Sequence, residues 1–456
     1  MLKLPVTTVA LIIVCCGSIV GPLGMAAVNI AIPNLAADLN ASAKMVGWLP
    51  TLYLLSTVMF MLPVGKVADN YGRKRVYAFG LGLNVVAAIM CTLATSIEWL
   101  LLWRFVQGAA GAMLFGVGLA IISSVTPASK RGMSLGMATT CVYIGLSIAP
   151  AIGGWLTEVW GWRAVFYAQV PPGVLLLLAI KMFLNGEWKS DEKMPFDWWG
   201  MGIFSLFAIN LVFGLSLFPK LVGILLVLVA VGCLMLFIVH QSKSRRPLIR
   251  VQMFLESRVF SLSLTTSFFM YASNFAMAFL LSLYLQNIKG LSPSQAGQII
   301  LLQAVAMAVT TPLAGKLADK VQPRLIATCG CIIVAIVFWV FSQLTISSST
   351  NYISGALLLL GVGFGLFSTP NSNAVMGSAA KNELGVASSS LNLSRSIGNL
   401  FGMSIVNLLV HYYLGDSTFA AAGNNDLMKA ISVAFSMSLA FVIVASFTSA
   451  LRGRAR

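Results

Sequence analysis

Carboxylates are scarce in this sequence, and none of them falls inside a hydrophobic segment. The 456 residues include 13 Asp and Glu, against 29 Lys and Arg, and only two His. All thirteen acidic residues lie in the polar connections or at the ends of hydrophobic runs. A membrane-embedded enzyme would need an intramembrane set of His, Asp or Glu, and this chain has none, so we expect no enzymatic activity.

Cysteine is also too sparsely placed to build a site. The seven cysteines form no CxxC pair and have no histidine nearby that would complete a metal site. We interpret them as packing residues and predict neither a metal nor a cofactor. They are Cys15, Cys16, Cys91, Cys141, Cys233, Cys329 and Cys331.

Charge is rare overall, since apolar residues make up 58% of the chain and charged residues 9%. Hydrophobic runs of about twenty residues, long enough to cross roughly 30 Å of hydrocarbon as helix, recur throughout. The runs are continuous rather than alternating, which excludes barrel strands. We therefore predict an all-α polytopic membrane protein with fourteen spans, near residues 8–33, 45–66, 75–96, 98–124, 131–157, 163–185, 198–218, 220–240, 257–285, 293–315, 324–345, 350–375, 384–412 and 427–450.

Lysine and arginine are distributed unequally between the two sets of connections. Of the 29, 22 fall in alternate connections and the two termini, five in the opposite connections and two within spans. This asymmetry is typical of the positive-inside rule, so the formal charge of +16 does not indicate a nucleic-acid partner. We predict that both termini are cytoplasmic and that the protein is a multi-pass protein of a bacterial-type plasma membrane.

A five-residue pattern occurs twice, which indicates an internal repeat. The sequence Gly-Lys-Val-Ala-Asp at 65–69 returns as Gly-Lys-Leu-Ala-Asp at 315–319, 250 residues later. Eight helices fit that interval at about 31 residues each, whereas six would need over 40. We predict a six-helix half over residues 1–186, two inserted helices over 187–242, and a second six-helix half over 243–456. Repeats of this kind place a substrate site near the midplane between the halves.

The connection after span 2 carries the most specific motif. It reads Gly65-Lys-Val-Ala-Asp69-Asn-Tyr-Gly72-Arg73-Lys74-Arg75 and resembles the helix 2–3 loop of the major facilitator superfamily. That resemblance implies two six-helix halves that alternate access to a central site. It also implies a conformational latch, which would consist of Gly65, Asp69, Gly72, Arg73 and Lys74 with Gly315 and Asp319 of the repeat.

Further motifs are similar to the fourteen-helix drug/proton antiporter branch of that superfamily. Arg104-Phe-Val-Gln-Gly in span 4 matches its Arg-x-x-Gln-Gly pattern. The antiporter signature of span 5 is matched by Gly136, Gly145, Pro150, Gly153 and Gly154, with Ala149 where the signature has glycine. These glycines provide packing surfaces or substrate contacts, and packing is favoured. Gly21 and Pro22 would kink span 1.

The resemblance fails at the end of span 1. The branch has an aspartate there, proposed to carry the proton, and Gly24 stands in its place, while Gln169 stands where the branch has asparagine. Proton coupling through a carboxylate of span 1 is therefore excluded, and a histidine or the substrate's own proton is left open as the coupled group. A lipophilic cation would meet two intramembrane arginines and no acidic residue to balance its charge. Coulomb repulsion therefore makes a cationic substrate less favourable.

Arg104 and Arg395 are the two cations inside predicted spans. A buried guanidinium is costly unless it faces protein or water, so we interpret Arg104 as functional, with a structural arginine bonded to carbonyls as the alternative. Arg395 could equally reach the interface by snorkelling. The predicted cavity wall consists of Asn29, Tyr53, Arg104, Tyr143, Asn274, Gln303, Asn371, Asn373, Asn392 and Arg395.

We predict a transporter of small amphipathic compounds, of the multidrug efflux type, that acts by alternating access as a monomer in the lipid bilayer. The alternative within transporters is a uniporter or permease for a neutral or anionic metabolite. The alternative from another class is a receptor that binds without transport.

Overall fold

The computed structural model is a bundle of long helices. It describes residues 5–127, 131–189, 197–244, 248–249, 251–318, 321–378, 384–415 and 424–453. In chain order the helices are α1 (Val6–Asp38), α2 (Ala43–Tyr71), α3 (Arg73–Thr92), α4 (Ile97–Val125), α5 (Arg131–Trp160), α6 (Arg163–Tyr167), α7 (Val170–Phe183), α8 (Trp198–Leu217), α9 (Leu221–Lys243), α10 (Gln252–Glu256), α11 (Arg258–Leu283, continued by a π-helical turn over Tyr284–Ile288), α12 (Pro293–Ala318), α13 (Pro323–Ser342), α14 (Thr350–Gly377), α15 (Leu384–Leu414) and α16 (Asn424–Leu451).

These helices match the predicted spans closely. Within the described residues, thirteen segments are long and apolar enough to cross a membrane, with α6 and α7 counted together as one. Helix α5 has 30 residues, but several of its side chains lie outside the described part, and it is the segment that would bring the number to fourteen. The total of fourteen and the orientation in the membrane stay predictions.

Short polar side chains start several of the helices. The hydroxyls of Ser42, Ser96, Ser257 and Ser349 accept hydrogen bonds from the backbone N–H three residues further on, and Asp197 does the same at α8. Each cap satisfies a donor that would otherwise be left unpaired at a helix N-terminus. The caps lie in the short polar connections that separate the hydrophobic runs.

The helices pack in two groups, α1–α7 and α11–α16, and the hairpin α8–α9 contacts both through α8. We call one end of the bundle the Asp69 end, where α2 is joined to α3. The opposite end, where α1 is joined to α2, is the Asp38 end. The domain boundaries at residues 186 and 242 stay predictions.

The two groups are in backbone contact toward the Asp38 end, where α5 crosses α12. A Cβ atom added at Gly154 would lie 2.3 Å from the carbonyl oxygen of Pro293, and one added at Gly297 would lie 2.3 Å from that of Pro150. Glycines of this kind let membrane helices approach until their backbones touch. In the same region Ser282 donates a hydrogen bond to the carbonyl of Asn29 at 3.0 Å, so α11 also closes on α1.

A cavity of about 340 Å³ lies between the groups at the Asp69 end. It is bordered by Leu62 and Asp69 of α2, Ala120 of α4 and Ser390 of α15, and by Leu248 from the connection between α9 and α10. The bundle is thus closed at the Asp38 end and has an internal space at the Asp69 end.

A small polar cluster joins the inserted hairpin α8–α9 to the connection between α9 and α10. Asp197 caps α8 and accepts hydrogen bonds from His240 Nε2 at 2.9 Å and Gln241 Nε2 at 2.8 Å, both on α9. Burial raises the pKa of Asp197, but the donors of Gly200, His240 and Gln241 together hold it below its usual value. Gln241 also accepts a hydrogen bond from the backbone N–H of Leu248 at 2.6 Å.

Substitution of Gly297 by alanine tests the contact between α5 and α12. Alanine should normally favour a helix by about 1 kcal/mol over glycine, but here its Cβ would meet the Pro150 carbonyl at 2.3 Å. We expect Gly297→Ala to lower stability by about 1–3 kcal/mol because the helices must separate. The thermal unfolding midpoint in detergent measures the effect. Gly355→Ala is the matched control, because a Cβ there meets nothing within 4 Å, and it should raise the midpoint or leave it unchanged. A stable Gly297→Ala protein would contradict this account of the contact.

Candidate functional site

Arg104 lies at the centre of the most unusual polar site in the protein. It is fully buried on α4, where Nη1 donates to the carbonyl oxygen of Gly24 on α1 at 2.9 Å and to Gln107 Oε1 at 2.6 Å. Hydrogen bonds that involve a charged donor each contribute about 1.5–3 kcal/mol. They hold the guanidinium between α1 and α4.

Aromatic rings cover the rest of the Arg104 guanidinium. Its Cζ lies 4.6 Å from the ring centre of Tyr53 on α2 and 5.9 Å from that of Phe166 on α6. Stacking of this kind is worth about 0.5–2 kcal/mol, more where water is excluded. The two rings therefore offset part of the cost of burying the charge.

No described carboxylate pairs with Arg104, and its Nε and Nη2 atoms have no hydrogen-bond acceptor. The described carboxylates all lie at helix ends or in connections. They are Asp38, Asp69, Glu98, Glu158, Glu187, Asp197, Glu256 and Asp426. The site therefore carries a buried positive charge that no described carboxylate compensates, and two of its nitrogen atoms have no acceptor.

Two hydrogen-bonded glutamine side chains lie beside Gly24, the position at which the drug/proton antiporter branch has an aspartate on α1. Gln107 Nε2 donates to Gln169 Oε1 at 2.9 Å, and Gln169 Nε2 donates to the carbonyl of Val165 at 3.0 Å. A Cβ atom added at Gly24 would lie 2.4 Å from Gln169 Oε1 and 3.1 Å from its Cδ. The longer amide at position 169 thus fills the space that a side chain at position 24 would need.

Arg395 on α15 forms a second, less buried cationic site. Its Nη2 donates to Ser372 Oγ on α14 at 2.7 Å, and its Cζ lies 5.2 Å from the ring centre of Tyr271 on α11. The next residue, Ser396, contacts Met61 Sδ of α2 at 3.7 Å. Arg395 therefore lies close to the surface on which the two helix groups meet.

Two further pairs use predicted cavity residues as contacts between helices. Asn274 Oδ1 accepts a hydrogen bond from Gln303 Nε2 at 2.8 Å, which joins α11 to α12. Asn371 is fully buried, and its amide nitrogen donates to Ser267 Oγ at 2.8 Å while its oxygen accepts from Arg452 Nη1 at 2.6 Å. Asn371 therefore connects neighbouring helices, and its place in a cavity wall stays a prediction.

The remaining predicted cavity residues differ in exposure. Asn29 is buried, with an Oδ1 that has no partner. Asn392 is half-buried and Asn373 is exposed, so neither joins the Arg104 cluster. The side chain of Tyr143 lies outside the described part of α5.

Of the predicted latch residues, Asp69, Gly72, Arg73 and Lys74 lie together at the Asp69 end. Arg73 donates to Asp69 Oδ1 from Nε at 3.0 Å and from Nη2 at 2.8 Å, and its Nη1 donates to the Ala120 carbonyl at 3.2 Å and to Ser124 Oγ. These bonds join α2, α3 and α4. Within the described residues the latch therefore holds one helix group together.

Gly72 and Lys74 belong to the same assembly. Gly72 has φ +112°, a conformation that favours glycine, and a Cβ there would lie 2.4 Å from Glu187 Cδ. Glu187 accepts from the backbone N–H of Lys74 at 2.8 Å, which caps α3. Gly65 and Gly315 have no such close contact, and Asp319 lies outside the described residues.

The predicted signature of α5 is mainly a packing surface. A Cβ at Gly153 would lie 2.7 Å from the carbonyl of Ala27 on α1, and Gly154 and Pro150 contact α12 as described above. Gly145 is buried, while the surroundings of Gly136 lie outside the described part. The predicted kink is untested: a Cβ at Gly21 would meet Phe115 at 3.2 Å, and the side chain of Pro22 lies outside the described part.

Arg452 is a site residue that the sequence did not indicate. It follows the last span and reads as a cytoplasmic tail charge, yet it is buried and also donates to the Pro323 carbonyl at 2.9 Å. No sequence pattern pairs Arg452 with Asn371.

Gln107 and Gln169, by contrast, stand at motif positions. Positions 24 and 169 both differ from the drug/proton antiporter branch, and the two differences could have been interpreted together as one coupled change.

In the described part of the chain, no group of His, Cys, Asp and Glu could hold a metal.

Comparison with known proteins agrees with this architecture. Residues 14–403 match the Major Facilitator Superfamily. The riboflavin transporter RibZ of Clostridioides difficile is 27% identical over 441 residues, covering 94% of this chain and 95% of that protein. The multidrug transporter protein MdtP of Bacillus subtilis is 28% identical over 401 residues, covering 85% of this chain and 72% of that protein.

Solved structures support the same fold at lower identity. A bacterial homolog of the human lysosomal transporter Spinster, in an inward-facing and unoccupied conformation, superposes with a TM-score of 0.72 at 17% identity over 98% of this chain and 97% of that one. The D-xylose-proton symporter gives a TM-score of 0.66 at 12% identity, over 95% and 97%. The predicted major facilitator fold is confirmed.

A pair of substitutions tests whether positions 24 and 169 are complementary. Gly24→Ala should lower stability by about 1–3 kcal/mol because the new Cβ displaces the Gln169 amide. Gln169→Asn should cost about 1–3 kcal/mol through its lost hydrogen bonds. We expect the double variant to be more stable than the sum of the two losses by at least about 0.5 kcal/mol, as measured by thermal unfolding.

The control combines Gln169→Asn with Gly82→Ala, since a Cβ at Gly82 meets nothing within 4 Å. That pair should be additive. If the Gly24 pair were equally additive, the two positions would not share one space.

Proposed function

This chain belongs to the major facilitator superfamily of multi-pass membrane transporters, and from that premise we propose that it moves small amphipathic organic compounds by alternating access, with a preference for neutral and anionic compounds over cations. The observation that carries this proposal is the unpaired, fully buried charge of Arg104. A carboxylate near the site would balance the charge of a lipophilic cation, but position 24 is a glycine and has no side chain.

The electrostatics favour this charge preference. Two unit charges 4 Å apart interact by about 4 kcal/mol at an effective dielectric constant of 20. An anion beside Arg395 would gain an interaction of this order, less the cost of its own desolvation, and a cation would be disfavoured by a similar amount. Arg104 is fully buried and covered by Tyr53 and Phe166, so it would act on a substrate from a greater distance and more weakly, through its field rather than by direct contact.

Arg395 is the cation that we assign to substrate contact. It is half-buried, and it lies one residue from the contact between Ser396 and Met61, where the two helix groups meet. The ring of Tyr271 beside it offers a flat apolar surface. A guanidinium next to an aromatic ring suits a planar or amphipathic compound that carries a carbonyl or an acidic group.

The proposed transport does not depend on a carboxylate within the membrane. Every described Asp and Glu lies at a helix end or in a connection. We propose that transport proceeds without a helix-1 carboxylate, and that a pH gradient drives it only through a histidine or through the substrate's own proton.

Two kinds of relative support two classes of substrate. Similarity to the multidrug transporter protein MdtP supports transport of varied drug-like compounds, and we propose their export as the main activity. Similarity to the riboflavin transporter RibZ over nearly the whole chain supports a permease for a neutral or anionic metabolite as the second candidate. Riboflavin is therefore included among the compounds to be tested.

We further propose that the protein acts as a monomer in a bacterial plasma membrane, with both termini in the cytoplasm. The excess of Lys and Arg in one set of connections supports the orientation. A receptor that binds without transport is the alternative from another class, and turnover of any compound in vesicles would exclude it.

The experiment measures movement of cationic, neutral and anionic dyes and of riboflavin across proteoliposome membranes, with and without an imposed pH gradient. We expect neutral and anionic compounds to move and cations to be excluded. Arg395→Gln should lower anion transport about tenfold or more, since about 1.4 kcal/mol corresponds to tenfold. Arg104→Ala should lower the transport of both anionic and neutral compounds, because it removes the positive charge and leaves a cavity in the buried site.

Lys220→Gln is the control, since Lys220 is an exposed cation at the turn between α8 and α9. Its transport rates should equal those of the wild type. Gradient-driven movement of cations, or normal anion and neutral transport by Arg104→Ala, would overturn the proposed charge preference. A failure of every compound to move would instead favour the receptor.

A further inference from the structure

An apolar groove lies on the outer face of the bundle at the Asp69 end, away from the central site. It has a volume of about 390 Å³ and runs between α2, α3 and the start of the inserted helix α8. Its walls include Val64 and Val67 of α2, Phe79 of α3 and Met201 of α8. In a chain that spans a membrane, such a groove faces lipid.

The groove lies beside a contact between α8 and α2. Toward the Asp38 end, the rings of Trp48 and Phe213 lie 5.0 Å apart, which brings the two helices together. Toward the Asp69 end the groove lies between residues of the two helices and is open to the outside. A void lined by apolar groups loses dispersion contacts unless something fills it.

One charged residue, Arg75 at the start of α3, lines this groove among the described residues. Its side chain is 78% exposed, and its Nε lies 3.6 Å from Glu187 Oε2. An ion pair this exposed contributes little. The other two cations of the triplet are engaged, since Arg73 binds Asp69 and Lys74 Nζ donates to the Leu184 carbonyl.

We propose that this groove binds one acyl chain of an anionic phospholipid, whose phosphate pairs with Arg75. The occupant is inferred from charge complementarity: an apolar slot at membrane level ends at a solvent-exposed guanidinium. Basic residues beside clefts between membrane helices are a recurrent means of holding anionic head groups. Trp198 also borders the groove, at the start of α8, in keeping with a position near the head-group level.

The lipid would serve as a packing element between the first helix group and the inserted hairpin. It would contact α2, α3 and α8 at the Asp69 end. This role is separate from substrate transport, and binding can be measured without any transported compound.

Native mass spectrometry of the purified full chain tests the proposal. The protein is released from detergent after incubation with dioleoyl phosphatidylglycerol or with dioleoyl phosphatidylcholine, which carry the same chains. We expect the wild type to retain one phosphatidylglycerol at least about fivefold more readily than phosphatidylcholine, the preference that about one lysine or arginine confers. Arg75→Gln should remove that preference.

Two further variants separate the head group from the chain. Val67→Phe fills the groove but keeps Arg75, so it should lower retention of both lipids. Lys181→Gln removes another exposed cation, at the end of α7 and outside the groove, and should behave like the wild type. Glycerol 3-phosphate, which has no chains, should not displace the bound lipid.

Several outcomes would overturn the proposal. The first is an Arg75→Gln variant that still prefers phosphatidylglycerol, and the second is a Lys181→Gln variant that loses this preference. The others are a Val67→Phe variant that retains both lipids as the wild type does, and displacement of the bound lipid by glycerol 3-phosphate. The thermal midpoint of each variant without added lipid shows whether it is folded, and only folded variants are compared.

Discussion

A charge buried among membrane helices must be solvated by the protein itself, and this chain does so with neutral groups. Arg104 is held by a carbonyl, an amide and two aromatic rings, and Arg452 by a carbonyl, an amide and a hydroxyl. Carbonyl and amide dipoles stabilise a cation without cancelling its charge. The positive field of each site therefore remains, whereas a carboxylate partner would have neutralised it.

The same principle organises the two ends of the bundle. The carboxylates that do exist, such as Asp69 with Arg73 and Asp38 with Arg163, are placed at helix ends, where water reaches them. Between those ends the contact of the two helix groups is made by backbone and small residues, as at Gly154 and Gly297. Close backbone packing of this kind involves no charged side chain at these two glycines, so it adds no cost of charge desolvation to the contact.

Hydropathy predicted the helices well, because a span of hydrocarbon imposes a length that any sequence must meet. It could not predict the break between α6 and α7, where a two-residue turn at 168–169 interrupts the helix within one apolar run. The burial of Arg104 could be predicted from its depth in a span, while its functional role stays a prediction. The partners of Asn371 could not, since its contact with Arg452 joins residues on two helices that only tertiary packing brings together. Side chains such as Asn274 and Gln303 were correctly recognised as polar groups in the membrane, but whether they face a cavity or each other depends on helix rotation, which composition does not fix.

The fit between Gly24 and Gln169 also has a consequence for the evolution of this protein. A side chain at position 24 would meet the longer amide, so an acid on the first helix is disfavoured by a residue on a different helix. A larger residue at position 24 fits more readily beside a shorter residue at position 169. The steric fit therefore makes the effect of a substitution at position 24 depend on the residue at position 169, whichever substrate the protein transports.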